Sequence, residues 1–506
     1  MPKQLHIFGA AIAAALLAGC SMMPTYERPV APVAAQFPQL TSAAPGLAAS
    51  LATPAADIDW QSFFSDAKLK QLIAAALQNN RDLSVAVLNI EQARAQFQIR
   101  RADQFPTFNA ALAGSRQSAA GSGNAGNGGN TSSASSISSV YSAGFGVTAY
   151  ELDFFGRVAS LKAAALAQFL ATVEARKTVH ISLVGQVANT YLAVLGDDEL
   201  LAITQQTLST RQESFRLAKL RFDNGVTSEL DLRLAESLLE AANVSLAQQT
   251  RQRALDENTL TLLVGQALVG ELATSASSGA SPAASSVTSP HTAAEKSLAQ
   301  TVLPDVPAGL PSDLLTRRPD ILQAEQLLIA ANANIGAARA AFFPRISLTA
   351  SAGSASSRLS GLLQSGSWGW SLAPQLLLPI FDAGRNSAGL ASSKAAQGIA
   401  IATYEKAIQT AFKEVADALA GRATFADQLR ATQAQASAEA VRYRLADLRY
   451  QNGVASQLDQ LDAQRSLFAA RQAVVQTRLA QLQSQVTLYK VLGGGWSDEA
   501  AAVVNP

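Results

Sequence analysis

The sequence predicts an α+β chain in which very long helices alternate with two pairs of strands. Three observations lead to that class. A thirteen-residue segment occurs twice, the apolar period switches from two to between three and four within each copy, and residues 157–222 and 385–450 contain no proline. Because proline interrupts helices, its absence over such lengths favours unbroken helices. We therefore expect an internally duplicated protein, each copy built from a helix, two strands, a long helix and a returning helix.

Composition excludes several classes of function. The 506 residues include 39 Lys and Arg against 38 Asp and Glu, so no basic excess exists for binding nucleic acid. A single Cys excludes an internal disulfide framework and a thiolate zinc site. The three histidines, His6, His180 and His291, are far apart in sequence. We expect neither catalysis nor a metal nor a cofactor other than a covalent lipid.

A literal GxGxxG pattern occupies residues 121–126. It lies inside a Gly/Ser/Asn-rich loop and not at a turn from strand to helix, where phosphate binding would need it. Nucleotide binding is therefore not predicted. His180 falls on an apolar helix seam, where a packed histidine is expected and not a metal ligand.

The N-terminus has the pattern of an export signal. Residues 1–19 combine Lys3 with a short apolar run that is too short to span a bilayer comfortably. Small residues before Cys20 resemble a bacterial lipobox, which predicts a lipid on Cys20; the alternative is an ordinary signal with an incidental cysteine. Ser21 after it favours transfer to the outer membrane. No later segment reads as a transmembrane helix, so any crossing would need strands in a closed barrel.

The repeat defines the organisation. Residues 219–231 and 447–459 match at an offset of 228, with eight of thirteen positions identical. The glycines at 156 and 265 recur at the same offset, whereas Asp82 recurs as Asp320 at an offset of 238. The predicted division is a signal at 1–19, an extended lipidated segment at 20–58, repeats at 59–268 and 309–495, a linker at 269–308 and a tail at 496–506.

Each repeat offers two segments in which apolar and polar residues alternate, as in a strand with one apolar face. In the second repeat the apolar positions are Ile346, Leu348, Ala350 and Ala352, then Trp368, Trp370, Leu372, Pro374 and Leu376. In the first they are Phe108, Ala110 and Leu112, then Phe145, Val147 and Ala149. The loop at 115–139 is expected to be extracellular and dispensable. A soluble hairpin packed on helices would show the same alternation.

The long helices are expected to reverse at two tips. Each tip carries Asn-Gly-Val, and Asn-Gly suits a chain reversal with Gly as the helix C-cap. The residues are Asn224, Gly225 and Val226 in one repeat and Asn452, Gly453 and Val454 in the other. Ser228 and Ser456 can N-cap the returning helices. Single helices at about 67–104 and 313–342 are expected before the strands, long enough to match the long helix when stacked on the returning helix.

These landmarks resemble the outer membrane factor family, the TolC-like ducts, and most closely its lipidated OprM/NodT-type branch. The matching segments lie at 26–29, 60–64, 151–157, 309–321, 379–385, 449–454 and 461–464. The resemblance implies a homotrimer whose chains each give four strands to one 12-stranded outer-membrane barrel, continued by a coiled-coil helical barrel in the periplasm. It further implies an exit duct for small molecules, working with a periplasmic adaptor that docks at the tips and an inner-membrane pump.

Two other functions remain open at this stage. One is a type I protein-secretion duct, because the walls of a duct do not settle its substrate. The other is a lipid-anchored periplasmic coiled-coil scaffold with soluble hairpins.

A pair of carboxylates stands just after the second tip. Asp459 and Asp462 are three residues apart, which places them on one helix face. By resemblance they match the acidic ring at the periplasmic aperture of such ducts, and a solvated helix face is the alternative. Asp231 is the counterpart of Asp459 in the first repeat. The expected partners of the pair are Arg449 and Tyr450 on the preceding helix, or Arg221 and Asp223 on the neighbouring one.

Overall fold

The computed structural model describes residues 21–34, 36–37, 55–119, 136–267, 297–306 and 311–496. The predicted signal and Cys20, the pattern at 121–126, most of the linker and nearly all of the tail lie outside these residues. In the N-terminal part, residues 21–34 form neither helix nor strand, as expected for an extended segment.

The first repeat contains short α1 (Trp60–Phe63), α2 (Ala67–Asn79), α3 (Arg81–Ala102), β1 (Phe108–Ala119), β2 (Ser136–Leu152), α4 (Arg157–Asp223) and α5 (Glu229–Val264). The second contains α6 (Pro311–Arg317), α7 (Pro319–Ala340), β3 (Arg345–Ser356), β4 (Trp368–Leu377), α8 (Arg385–Gln451) and α9 (Gln457–Val491). Both unbroken long helices and both returning helices are confirmed.

The helix expected before each strand pair is in fact two helices. The first breaks at Asn80, whose ψ of 131° is extended, and the second breaks at Arg318. The prediction of single helices over 67–104 and 313–342 is therefore wrong. These two break positions correspond at the repeat offset of 238.

Both breaks are held by the same contact. The Asn80 amide Nδ2 donates to the Leu263 carbonyl at 2.9 Å, and the Arg318 guanidinium donates to the Val491 carbonyl at 3.0 Å. Leu263 and Val491 correspond at the offset of 228 and lie at the ends of the two returning helices. Each break thus satisfies a terminal carbonyl that has no partner within its own helix.

Arg318 makes more side-chain contacts at its break than Asn80 makes at the other. Arg318 also donates to Asp320 at 2.6 Å and to Glu414 at 2.8 Å, whereas the Asn80 side chain accepts from the Leu83 N–H at 3.0 Å and so caps α3. The Asn80 and Arg318 residues are only 5% and 7% exposed. Both side chains are therefore part of the core and not of the surface.

The described chain divides into two compact units, and each unit takes segments from both repeats. One unit holds the described residues of Met1–Val30 together with Ile90–Thr172 and Ala324–Tyr404. In it, Tyr26 and Arg28 both donate to the Glu325 carboxylate, at 3.0 Å and at 2.7 and 2.8 Å. Glu325 is 5% exposed, so this extended segment is fastened to α7 by a buried acid.

The other unit comprises the described residues of Ala31–Asn89, Val173–Gln323 and Glu405–Pro506. Its core includes a stacked pair, Phe63 and Tyr489, with ring centroids 3.9 Å apart. Leu192 and Val187 of α4 are fully buried in it, as is Val486 of α9. The apolar seam of α4 is thus a packing surface.

One stretch of α4 is also apolar and long enough, by composition alone, to cross a membrane. The expectation that no segment after the N-terminus would look like a span is wrong in this respect. A third of that stretch is buried inside the protein, and a helix that packs in a protein core can meet the same test of length and composition.

The four strands form one antiparallel sheet in the order β1-β2-β3-β4. Residues directly opposite one another share a face, so the register defines two different faces. One face carries rows such as Phe108, Val147, Ala350 and Leu372, and Ala110, Phe145, Ala352 and Trp370. The other carries rows such as Asn109, Gly146, Ser351 and Ser371. We call these the bulky face and the small-polar face.

The alternation predicted for β2 ends at Val147 and does not reach Ala149. The β2–β3 register shifts between Val147 and Tyr150, and Ala149 there has a φ of +49°. Ala149 therefore belongs to a β-bulge and not to the bulky face, and its N–H bonds the Thr349 hydroxyl at 3.2 Å.

Candidate functional site

The two tips have the same backbone. Gly225 and Gly453 adopt φ values of +72° and +70°, which glycine enters without strain. The Val226 N–H donates to the Arg221 carbonyl at 2.8 Å, and the Val454 N–H donates to the Arg449 carbonyl at 2.8 Å. These are the long hydrogen bonds of a Schellman C-cap, so the Asn-Gly-Val signal predicted both reversals correctly.

The tips expose apolar side chains at matching positions. Val226 is 73% exposed and Val454 67%, and one turn further along the returning helices Leu230 is 78% and Leu458 57% exposed. Each pair is separated by the repeat offset of 228. Apolar residues exposed in the same place in both repeats indicate a surface that another protein or another copy of the chain covers.

Asp231 and Asp459 are helix caps. Asp459 accepts from the Ser456 N–H at 3.2 Å and from its hydroxyl at 2.9 Å, while the Asp459 N–H donates back to that hydroxyl at 3.2 Å. Asp231 forms the same capping box with Ser228. Hydrogen bonds from the Ser228 and Thr227 hydroxyls hold the pKa of Asp231 below its usual range. The predicted serine N-caps are therefore present, and each uses an aspartate that the sequence analysis assigned to the aperture.

Asp462 is an ion-pair acceptor and not a cap. Its two carboxylate oxygens accept from Arg442 at 2.7 Å and from Arg465 at 2.6 Å. The hydrogen bond from Arg442 is the main reason that the pKa of Asp462 lies below its usual range. Arg442 lies on α8 and Asp462 on α9, so this contact joins the two helices that meet at the second tip.

The partners expected for the carboxylate pair are wrong. Tyr450 instead accepts a hydrogen bond from Arg221, whose guanidinium carbon lies 5.0 Å from the centroid of the Tyr450 ring. This contact joins the first tip to the second. Among the described residues, Asp459 and Asp462 form hydrogen bonds and ion pairs with Ser456, Arg442 and Arg465, and not with Arg449 or Asp223.

The residues that sequence reasoning missed are Arg442 and Arg465. A signal for Arg442 was available in the sequence. Helices that reverse at a tip run antiparallel, so residues equally far from the tip face each other, and 442 and 462 stand symmetrically about 452. Arg465 lies one turn after Asp462 on the same helix, which is a common ion-pair spacing.

His180 is packed, as expected from its place on the seam. Its ring meets Trp496 edge to face with centroids 5.0 Å apart. Burial, followed by the charge of Arg176, lowers the pKa of His180 to about 4, so the ring is neutral at ordinary pH. Within the described ranges, no group of three or more His, Cys, Asp or Glu side chains is placed to hold a metal ion.

Comparison with known proteins agrees with this architecture. The sequence matches the outer membrane efflux protein family over residues 72–266 and 310–494, which nearly coincide with the two repeats. It is 47% identical to the toluene efflux pump outer membrane protein TtgC of Pseudomonas putida, over 97% of this chain and 95% of that protein. It is 43% identical to the outer membrane protein OprJ of Pseudomonas aeruginosa, over 100% and 99%.

A solved structure has the same fold. The open state of the MtrE outer membrane channel of Neisseria gonorrhoeae superposes with a TM-score of 0.78 at 38% identity, covering 94% of this chain and 98% of that one. Sequence, repeat boundaries and fold therefore agree, and the chain belongs to the outer membrane efflux protein family.

Proposed function

We propose that this chain is the outer-membrane exit duct of a tripartite efflux system, and that three copies close one barrel of twelve strands. The main support for this proposal is that the four-stranded sheet has two unpaired edges. The outer edges of β1 and β4 have no strand partner among the described residues. An open edge is not tolerated in lipid, where unpaired backbone groups find no water. Pairing β4 of one copy with β1 of the next removes every edge.

The two faces of the sheet suit a barrel that conducts. On the bulky face, Phe145 is 69% and Trp370 71% exposed, and all ten residues of β4 are exposed. A hairpin packed on helices would bury those side chains, so the soluble-scaffold alternative is disfavoured. With the bulky face toward lipid, the small-polar face lines a lumen, and twelve strands leave such a lumen open.

The duct acts passively in this proposal. It performs no catalysis and holds no cofactor, and the energy for transport comes from an inner-membrane pump through a periplasmic adaptor. The adaptor docks on the apolar tip residues Val226, Val454, Leu230 and Leu458. A lipid on Cys20 adds an anchor, and its test is incorporation of labelled palmitate into the wild type but not into Cys20→Ser, which should still form trimers.

The first experiment tests the barrel. The purified chain should migrate as a heat-modifiable trimer and give single-channel conductance in planar bilayers. A monomer that conducts nothing would contradict the proposal and would restore the scaffold alternative.

A second experiment tests the tips. Val226→Asp with Val454→Asp should abolish efflux in cells, because the adaptor would have to bury two charges, while trimers and conductance persist. Val244→Asp is the matched control, since Val244 is 56% exposed on α5 but lies away from the tip. Full efflux by the double variant would place the adaptor elsewhere. Gly225→Trp with Gly453→Trp is a steric version of the same test.

A further inference from the structure

The hairpins of the sheet contain almost no charge, and what they contain is positive. Residues 106–150 include a single charged residue, Arg116, and residues 346–381 include a single one, Arg358. No acid occurs in either segment. Both arginines belong to the end of the sheet where β1 and β3 finish, which is the end away from the helices that follow β2 and β4.

The charged side chains at the other end of the sheet are paired with one another. There the Glu151 carboxylate accepts from Arg157 at 2.6 and 2.7 Å and from Arg345 at 2.6 Å. The Glu151 side chain is 10% exposed. Arg116 and Arg358, by contrast, are exposed, and their guanidinium groups have no partner among the described residues.

Arg116 points to the bulky face. Arg116 pairs with Ser139, and the β1–β2 register is continuous from Phe108 to Ala119. Because alternate residues of a strand share a face, Arg116 lies on the same face as Phe108 and Leu112. In the proposed barrel this face meets lipid, which makes Arg116 a cation on the outside of the wall, about 13 Å further along the strand than Leu112.

The segment after Arg358 folds onto the same face. The Leu362 carbonyl accepts from the hydroxyl of Ser354, a bulky-face residue opposite Trp368. This segment and the bulky face of the sheet form an open cleft of about 760 Å³. Its apolar lining is Leu112, Phe145, Leu359, Leu362, Leu363 and Trp368. Its volume is within the range of small-molecule sites. Leu363 is 99% and Leu359 64% exposed, and Arg358 directly precedes Leu359.

We propose that this cleft, together with Arg116 and Arg358 at the same end of the sheet, binds a phosphorylated glycolipid of the outer leaflet. An acyl chain lies against the leucines and Trp368, and Arg358 and Arg116 donate to the phosphates. The inference rests on the proposed function, because the bulky face must meet lipid. Guanidinium groups suit phosphate since they donate two parallel hydrogen bonds. A charge-free wall whose unpaired arginines lie at this rim complements an anionic headgroup layer above an apolar one.

The test measures lipid retained by the intact trimer. The full chain is reconstituted in phosphatidylethanolamine nanodiscs that contain bisphosphorylated lipid A, and bound lipid is counted by native mass spectrometry. Arg116→Gln and Arg358→Gln should each weaken binding about tenfold, as expected for the loss of a charge-assisted hydrogen bond, and the double variant more than either. Lys394→Gln is the control, because it removes an exposed cation from α8, outside the sheet.

Two further arms separate the contributions. Leu359→Ser with Leu363→Ser should weaken intact and dephosphorylated lipid A alike, since it removes only the apolar contact. Dephosphorylated lipid A should bind the wild type as weakly as the intact lipid binds the double arginine variant. An excess of inorganic phosphate should leave the lipid in place.

Three results would overturn the inference. These are equal retention by the double arginine variant and the Lys394→Gln control, equal binding of dephosphorylated lipid, and displacement by inorganic phosphate alone. The same preparations are examined for trimers and conductance. Trimers that conduct but bind lipid identically in all variants refute only the lipid site, whereas absence of trimers and channels refutes the proposed function.

Discussion

The two helix breaks make the same contact with different chemistry. Asn80 reaches the Leu263 carbonyl with a neutral amide, whereas Arg318 reaches the Val491 carbonyl with a guanidinium that also binds Asp320 and Glu414. The fold therefore requires a donor at this place and not a particular residue. The second repeat adds charge to a place where the first needs only a hydrogen bond, so the two repeats should respond differently to the same truncation.

The largest expected effect comes from Arg318→Ala. It leaves the Val491 carbonyl without its donor and removes the cation between two acids, which should cost about 2–4 kcal/mol. Asn80→Ala should cost about 1–3 kcal/mol, because it loses a cap and one donor. The measurement is the dissociation temperature of the purified trimer. Asn80→Asp is the control, since it keeps the cap but loses the donor; equal losses in the two repeats would mean that the acids contribute nothing.

The glycines that face these breaks sharpen the comparison. Gly265 and Gly493 have φ values of +75° and +84°, so alanine costs about 1–2 kcal/mol at either. A Cβ at Gly265 would lie 2.5 Å from the Asn79 carbonyl oxygen, whereas one at Gly493 would lie 3.4 Å from that of Arg317. Gly265→Ala should therefore destabilise the trimer more than Gly493→Ala does, by about 1 kcal/mol, the lower end of the cost of overpacking. Melting curves that rank Gly493→Ala as the worse variant would contradict the geometry.

A third contrast is His180 against Ile408, its counterpart at the offset of 228. Because the pKa of His180 is about 4 when folded, below its ordinary value of about 6.5, only the unfolded chain takes up the proton between these values. Stability is therefore full above about pH 6.5 and is lost as pH falls toward 4, by about 1–3 kcal/mol. His180→Ile should abolish that part of the acid sensitivity. Parallel pH–stability curves for the two proteins would refute this.

The smallest effects on stability are expected at the tips. Asp231→Ala and Asp459→Ala should each cost about 0.5–2 kcal/mol, the loss of a capping box. Asp231→Ala should weaken its helix slightly more, because Asp231 also accepts from the Thr227 hydroxyl at 2.9 Å, whereas Ala455 stands at that position in the second tip. Hydrogen exchange in the first turn of each returning helix measures the difference, and faster exchange in the Asp459→Ala variant would contradict it.

Substitutions at the second tip, unlike those at the first, should also change conduction through the duct. Asp459→Ala with Asp462→Ala should lower cation selectivity and weaken block by trivalent cations in planar bilayers, whereas Tyr450→Phe should raise conductance without changing selectivity. Since the pKa of Asp462 is lowered below the ordinary carboxyl value of about 3.9, its pairing with Arg442 is complete above that value and is lost only as pH falls through the lowered pKa. Conductance of the wild type should thus be constant from pH 8 to pH 5. Wild-type selectivity in the double variant would leave the pair as a solvated face.

Most of the fold could be predicted because its signals are local. The alternation in β3 and β4, the proline-free helices and the Asn-Gly tips each depend on neighbours in sequence. The helix break at Arg318 has a local signal, because Pro319 disfavours a helical conformation of the residue before it. The partners at the two breaks could not be predicted in this way, because Leu263 is distant in sequence from Asn80 and Val491 from Arg318. Nothing near Asn80 in sequence announces the contact. The bulge at Ala149 is similar, since its partner Thr349 belongs to the other repeat.

The candidate site was predicted in part for the same reason. The tips and serine caps follow from short motifs, and the structure has them. The ion-pair partners of Asp462 depend on how α8 and α9 are aligned, and short sequence motifs carry no information about that alignment. Arg442 becomes visible only when the helices are treated as a hairpin that reverses at Asn452.

The register of the sheet has a consequence for how the chain folds. The β1–β2 and β3–β4 pairs close within one repeat, but β2 pairs with β3 by joining Tyr141 to Ser356. Such a distant pairing carries a large loop-closure entropy and forms slowly. We expect the two hairpins to form first and the central seam between repeats to close last. Pulse-labelling hydrogen exchange that showed protection of the β2–β3 hydrogen bonds before those of either hairpin would contradict that order. In that order the protein first behaves as two half-molecules and only later as one wall.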